Sequence, residues 1–189
     1  AQEQGTTMRH LSATELAAGL DHIVCSPGTR GELKAIVIRP ESGAREALRQ
    51  CAVSPAQGVH GDHWAKGCWM ALPDGRPHPD VQVAIMNARV AALIAQDEAR
   101  WALAGDNIYL DLDLSAANLP PGTRLAVGSA LLEITAVAHN GCQKFAARFG
   151  LEATRFVNSR DGRRLRLRGV YARIVEPGML AVGDPVSKL

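Results

Sequence analysis

The sequence predicts a mainly β protein, a closed or partly open barrel with one longer helix and a few short helices. Three observations carry this reading. Ile108, Leu110, Leu112 and Leu114 alternate with Asn107, Tyr109, Asp111 and Asp113, the two-residue period of a half-buried strand. Two strand-like runs, 124–127 and 130–138, flank Gly128-Ser129, a pair that suits the type II′ turn of a hairpin. Similar short runs recur along the chain between Gly and Pro turns, a pattern that points to a barrel.

From the start of the chain, Ser12 can cap a short helix over 12–20, with Glu15 completing a capping box. Residues 1–20 are read as an N-terminal extension or short helix, and 21–189 as the barrel domain. Cys25-Ser26-Pro27-Gly28 is a turn. Residues 32–39 (ELKAIVIR) form a buried strand that stops at Pro40. Residues 45–53 fit strand or helix equally. Residues 54–78 carry Pro55, Gly58, Gly61, Gly67, Pro73, Gly75 and Pro77, and a loop that long inside a compact domain is usually functional or mobile. Residues 81–86 alternate as a strand. Asn87 then caps the one long helix, 87–104, whose Val90, Leu93, Ile94 and Trp101 share a face and which Gly105 ends. After the 107–114 strand, Pro120-Pro121-Gly122 turns the chain into the hairpin. Arg164, Arg166 and Arg168 alternate with Leu165 and Leu167, a strand with one basic face, and the shifted parity of Val170, Ala172 and Ile174 asks for a bulge or break at Gly169. Residues 180–186 can close the sheet.

The bulk composition narrows the function classes. The 189 residues are 47% hydrophobic and 21% charged with a net charge of +2, so the molecule as a whole does not attract nucleic acid or membrane surfaces. Aromatic residues make up 4%, too few for a base-stacking surface. No apolar run is long enough to span a membrane, and residues 1–10 lack the h-region of a secretory signal. Four irregularly spaced cysteines, Cys25, Cys51, Cys68 and Cys142, imply free thiols in a reducing, cytoplasmic setting. Cys25 and Cys51 sit in apolar stretches and read as buried small hydrophobes.

The segment 139–150 (HNGCQKFAARFG) holds the chemistry. Residues 143–149 favour a helix that docks through Phe145 and Phe149, with Gly150 as its left-handed stop, so Cys142 falls at the helix N-terminus. Backbone N–H groups there favour the thiolate, and Lys144 and Arg148 share one face, which together suits an anionic, thiophilic ligand in a positive pocket. The alternative is a buried loop thiol beside two solvated cations. His139 is placed to donate a proton or to be a satisfied loop histidine. His60, His63 and Cys68 lie close together but match no standard zinc spacing. Asp111 and Asp113 share a strand face, where acid–base work and plain solvation explain them equally. The arginines of 164–168 read mostly as a protected strand edge, with the alternative that one or two of them bind a phosphate through paired N–H bonds.

In order along the chain, AGDNIYL (104–110), DLSAANLPPGTRL (113–125), VGSALLEIT (127–135), Gly141-Cys142, RGVYARIV (168–175) and VGDPV (182–186) resemble the MOSC domain, with Gly61-Asp62-His63 similar to its early element. The family is named after the C-terminal domain of molybdenum-cofactor sulfurases. The resemblance implies a MOSC-like β-barrel, a molybdenum cofactor (molybdopterin), and Cys142 as the metal- or sulfur-binding residue. It places Asn107, Asn140, Gly141 and Arg173 beside Lys144 and Arg148 as cofactor-binding candidates, with Cys142 and His139 as the catalytic ones. Some relatives reduce N-hydroxylated small molecules, which needs an electron-donor protein because no ferredoxin-type cysteine cluster is present. Others carry sulfur made by a pyridoxal-phosphate domain that these 189 residues do not contain, so a carrier would need a separate sulfurtransferase. A cysteine hydrolase built on Cys142 and His139 is a third reading, without a sequence signal for its oxyanion hole.

Overall fold

The inside of one closed sheet and part of its outer face are both dry, and that double burial organises the chain. The computed structural model describes residues 8–189. Its strands are β1 (Arg30–Ile38), β2 (Glu46–Leu48), β3 (Gln50–Ser54), β4 (Gly58–Val59), β5 (Val83–Asn87), β6 (Ile108–Asp111), β7 (Arg124–Val127), β8 (Ala130–Ile134), β9 (Val170–Glu176), β10 (Gly178–Ala181) and β11 (Pro185–Lys188). Seven of them run β11-β7-β8-β9-β5-β6-β1 and close into a mixed barrel through Arg30↔Ser187 and Glu32↔Pro185. Only β5 and β6 pair in parallel within that ring. The far end of β1 carries β2, and β10, β3 and β4 form a small second sheet. The region 45–53 is thus two strands. The hairpin at Gly128 has φ +55 there with Ser129 outside the left-handed region, as a type II′ turn requires.

Alternation sorts the side chains of each strand into two cores. Leu33, Ile36, Ile85, Ile108, Leu110, Leu125 and Leu132 fill the barrel. Val37, Met86 and Tyr109 point outward but are covered by helices through Leu16, Val90, Ile94, Phe145, Phe149 and Val157. Asn107 and Tyr109, read from sequence as a solvated face, are fully buried, and the Tyr109 hydroxyl donates to the Trp101 carbonyl at 2.7 Å. Polar atoms that find partners this way can sit on an apolar face at little cost.

The helices are α1 (Ala13–Ala18), α2 (Leu20–Val24), α3 (Ala88–Ala95), α4 (Gln143–Phe149), α5 (Leu151–Asn158) and α6 (Arg160–Arg164). Ser12 and Glu15 form the expected capping box on α1, and Asn87 caps α3 by accepting from the Arg89 amide at 2.8 Å. Three expectations need correction. The single helix 87–104 is two: Gln96 turns left-handed at φ +66, and Asp97 starts a 3-10 helix, Glu98–Ala104, by accepting from the Ala99 amide. A carboxylate that can cap a new helix competes with continuing the old one. The basic strand 164–168 is the end of α6 and a turn, because Ser159 caps the Gly162 amide and Arg166 adopts φ +51; β9 begins only after Gly169. Gly150 ends α4 as expected, although outside the αL conformation. Its φ +96 and ψ 163 form a joint from which α5 sets off, and a Cβ there would lie 2.8 Å from the His10 ring. Cys25 is exposed rather than buried, because it caps the end of α2 at the surface, whereas Cys51 is buried.

Candidate functional site

The strand β8 ends at Ile134, and residues 135–142 cross the mouth of the barrel without regular structure. Two anchors fix this crossing. The Thr135 hydroxyl donates to the Asp80 carbonyl at 2.6 Å. Asn158 on α5 grips Gly141 from both sides, accepting from its N–H at 2.8 Å and donating to its carbonyl at 2.9 Å. The approach is close, since a Cβ on Gly141 would lie 3.0 Å from the Val157 side chain. Cys142 follows as the residue before α4, exposed to solvent. Burial of the sulfur opposes ionisation, but the backbone N–H groups of Phe145 and Lys144 and the charges of Arg168 and Lys144 outweigh it, so the thiol lies below its ordinary pKa. No capping hydrogen bond of ordinary geometry is made to the sulfur, which leaves its lone pairs for a ligand.

Beside it lies a buried charge group that the sequence did not single out. The Asp106 side chain is 0% exposed. It accepts from Arg168 at 2.6 Å and pairs with Nε2 of His139 at 2.8 Å. Burial alone would raise its pKa, but Arg168 and then His139 pull it below the ordinary carboxylate value. An ionised Asp106 makes Nε2 the protonated nitrogen of His139 and leaves Nδ1 as the titrating one. Burial and then Arg168 push His139 below the ordinary histidine value, against the pull of Asp106, so the ring is neutral at neutral pH. Tyr171 stacks on it, with centroids 4.4 Å apart. A second buried carboxylate, Asp62, takes both guanidinium arms of Arg39 at 3.1 and 3.0 Å, the Arg39 amide at 2.8 Å and the Asn107 side chain at 3.2 Å. The Gly-Asp element thus aims the arginine at the end of β1.

These groups meet in one cleft of about 820 Å³. Arg39, Arg45, Lys144, Arg148 and Arg168 line it with His63, His139 and Cys142, and no Asp or Glu does. A positive cleft on a nearly neutral molecule, expected from Lys144 and Arg148, is what the lining shows. Among the described residues, three buried side-chain polar atoms have no hydrogen-bond partner: Nε of Arg45, Nδ1 of His63 and Nε of Arg168. All three residues belong to this lining. A buried polar atom left unpaired costs roughly 1–3 kcal/mol, and two arginine N–H donors with a histidine nitrogen that can donate or accept describe a place for a ligand rich in acceptors.

Of the residues expected from sequence, Cys142, His139, Asn140, Lys144 and Arg148 come together here. Gly141 contributes the fixed backbone next to Cys142. Asn107 does not line the cleft; its side chain is spent on Ala84, Val37 and Asp62. Arg173 faces away on β9 and binds Glu133, with Asp80 at 3.9 Å. His60 bonds Ser54, Asp111 pairs with Arg89, and no cluster of ligating residues with metal-binding geometry occurs among the described residues. Arg164 is exposed, Arg166 reaches the carbonyls of Leu114 and Leu119, and only Arg168 of that run enters the cleft.

A family model described as the MOSC domain matches residues 79–187, which include Asp106, His139, Cys142 and Arg168. Among solved structures, the YuaD protein from Bacillus subtilis superposes with a TM-score of 0.57 at 16% identity, over 83% of this chain and 94% of that one. YiiM from Escherichia coli gives 0.53 at 14% identity over 84% and 69%, and YiiM from Geobacillus stearothermophilus 0.55 at 16% over 84% and 75%. At these identities the likeness is one of fold. No curated protein sequence matches the chain.

Proposed function

The chain belongs to the MOSC domain family, and from that premise we propose that its cleft holds a pterin-based molybdenum cofactor with the Cys142 sulfur on the metal, and that the protein is an oxidoreductase for N-hydroxylated or similar small molecules. One observation carries the reading: an exposed thiol of lowered pKa and three unpaired buried side-chain nitrogens share a cleft with five cations and no carboxylate. The donor set fits the group. A soft thiolate suits a metal already bound by sulfur, and arginines suit a phosphate through paired N–H bonds.

When bound, the cofactor would supply two-electron chemistry. The chain's residues hold the reactants and move protons. Arg39 and Arg45, with Arg168 beside them, offer charge and free N–H donors to the anionic parts of a ligand. Lys144 and Arg148 extend that charge toward Cys142. Reduction of an N–OH to an N–H consumes two electrons and two protons and releases water. His139 can take a proton from solvent on Nδ1 and pass it to the departing hydroxyl, while Asp106 fixes the ring and steadies its charged form. The electrons come from a separate donor protein.

The exposure of Cys142 favours a second reading, a cofactor or sulfur carrier that receives sulfur from a partner sulfurtransferase. The test is turnover. Protein made in a cofactor-competent host and given an electron source should consume an N-hydroxylated substrate and form its reduced product. A carrier would leave the substrate intact and hold cyanide-labile sulfur on Cys142. No helix of the described residues is long and apolar enough to cross a membrane. We place the protein in the cytoplasm, where the exposed thiol stays reduced.

A further inference from the structure

Arg166 is a partly buried charge without a counter-ion, and it lies outside the cysteine cleft. Arg39, Arg89 and Arg168 each pack their charge against a carboxylate, of Asp62, Asp111 and Asp106. Arg166 has none among the described residues. Its Nη1 donates to the Leu119 and Leu114 carbonyls at 2.5 and 3.3 Å, and its remaining N–H groups donate to no acceptor there. Burial alone shifts its pKa, downward, as for a cation short of both water and an opposite charge. It holds this place at φ +51, a conformation that costs energy for any residue with a side chain.

Arg166 lines a second cavity, of about 270 Å³, against the strap that crosses the barrel mouth. This cavity shares Ala138, His139, Asn140 and Arg168 with the cysteine cleft and adds Arg163 and Arg166 from α6 and the turn after it. No Asp or Glu lines it. Arg168 is already balanced by Asp106, so the uncompensated charge is that of Arg163 and Arg166. Arg163 is exposed, and the carboxylate nearest to it in the chain, Asp161, pairs instead with Arg164 at 3.5 Å. The strap has donors to spare as well. The amides of residues 136–140 donate to no acceptor among the described residues, and Asn158 takes up only the next one, Gly141.

We infer that this cavity is a second anion site, for the phosphate group of inorganic phosphate or a small phosphate monoester, distinct from the Cys142 cleft. Two uncompensated guanidinium groups match a dianion, and their planar N–H forks suit a tetrahedral oxyanion with several acceptors better than a halide. The size agrees. The cavity has several times the ~30 Å³ that one water occupies, room for a phosphate and the carbon it is attached to. Because two carbonyls already hold Nη1 of Arg166, little side-chain freedom is left to lose on binding. A dianion bound here ties the end of α6 to the strap that leads to Cys142. The inference does not rest on the cofactor reading, since none of its charge is borrowed from Arg45, Lys144 or Arg148.

Backbone amide NMR tests it, with cofactor-free protein titrated with inorganic phosphate and with ribose 5-phosphate at neutral pH and constant ionic strength. Ala136, Val137, Gly162 and Arg163 report on this cavity, and Arg45, Lys144 and Arg148 on the cleft. The expected result is a saturable shift of the first group at millimolar concentration or below, absent with chloride and with ribose. Tighter binding of ribose 5-phosphate identifies the head of a monoester and equal binding identifies the free ion; either supports the site. Arg163→Gln and Arg166→Gln should each weaken binding at least about ten-fold, through loss of one charged donor group. Arg45→Gln should leave it in place. No saturation, shifts confined to the cleft reporters, the same shifts with chloride, or an unchanged midpoint in Arg163→Gln would each overturn the inference. Arg163 is exposed, so that variant keeps the fold and decides the matter even where Arg166→Gln, which loses two carbonyl contacts, does not fold. Protein loaded with molybdenum and pterin should give the same shifts. Their loss on loading would make the cavity part of the cofactor's own site and overturn the inference, whereas protein that never takes up metal or pterin would sink the cofactor reading and leave this titration intact.

Discussion

At the scale of single residues, the four cysteines separate by environment. Burial pushes the Cys51 thiol up to about 11, which leaves it inert, whereas the Cys142 thiol is lowered and exposed. Cys142→Ser should lower molybdenum content at least about ten-fold with little change in thermal midpoint, because a hydroxyl is a poor partner for a sulfur-bound metal. Ser variants of Cys25, Cys51 and Cys68 should keep the metal, and elemental analysis of all four checks this. His139 gives a pH signature. The unfolded histidine takes up a proton near its ordinary pKa of about 6.5, while the folded ring, with its pKa lowered, stays neutral. The unfolded state then binds more protons, so this residue makes stability fall as pH drops through that value. Urea denaturation at pH 7.5 and 5.5 should show a smaller loss for His139→Gln than for wild type. Cys142, His139, Asn140, Lys144 and Arg148 were legible because they are contiguous and their charges read directly. Asp106 and its pairing with Arg168 were not, since an ion pair 62 positions apart leaves no local pattern. Asn107 and Arg173, singled out with the motif, do not line the cleft, because their side chains are held by partners elsewhere in the fold.

Elements explain how the thiol is held still. The α5 helix, invisible in a reading that stopped at Gly150, supplies the Asn158 clamp on Gly141. Asn158→Ala removes two hydrogen bonds and leaves two backbone groups short of partners, a loss of about 1–3 kcal/mol. Faster hydrogen exchange at the Gly141 amide, together with weaker metal retention, would be the signature. If exchange there is unchanged, the clamp is not what positions Cys142. The α4–α5 joint is equally specific. Gly150→Ala must hold φ +96 and push the His10 ring, so a cost of about 1–3 kcal/mol is expected in denaturant titrations. The strands β1, β5, β6, β7 and β9 and the hairpin at Gly128 were legible from period and turn chemistry, whereas 45–53 fitted strand or helix and β4 lay in the expected loop. The break at Gln96 and the helical 160–164 segment were not, because short polar side chains such as those of Asp97 and Ser159 decide such ends through capping bonds that periodicity does not register.

The whole molecule pairs a sealed barrel with a charged mouth. Alternation revealed the barrel, but not that helices would bury part of its outer face as well, since a Tyr or Asn pointing outward reads as solvated until a partner such as the Trp101 carbonyl is found. With a net charge of +2 the charge of the site is local, as Lys144 and Arg148 led one to expect: five cations line one cleft whose supporting carboxylates, Asp62 and Asp106, are buried behind it. The ligand that fills this cleft is the centre of the account. The direct measurement is the molybdenum and pterin content of wild-type protein purified from a cofactor-competent host, by elemental analysis and by pterin fluorescence after oxidation. Close to one of each per chain is the predicted result. Folded protein that carries neither metal nor pterin would contradict it.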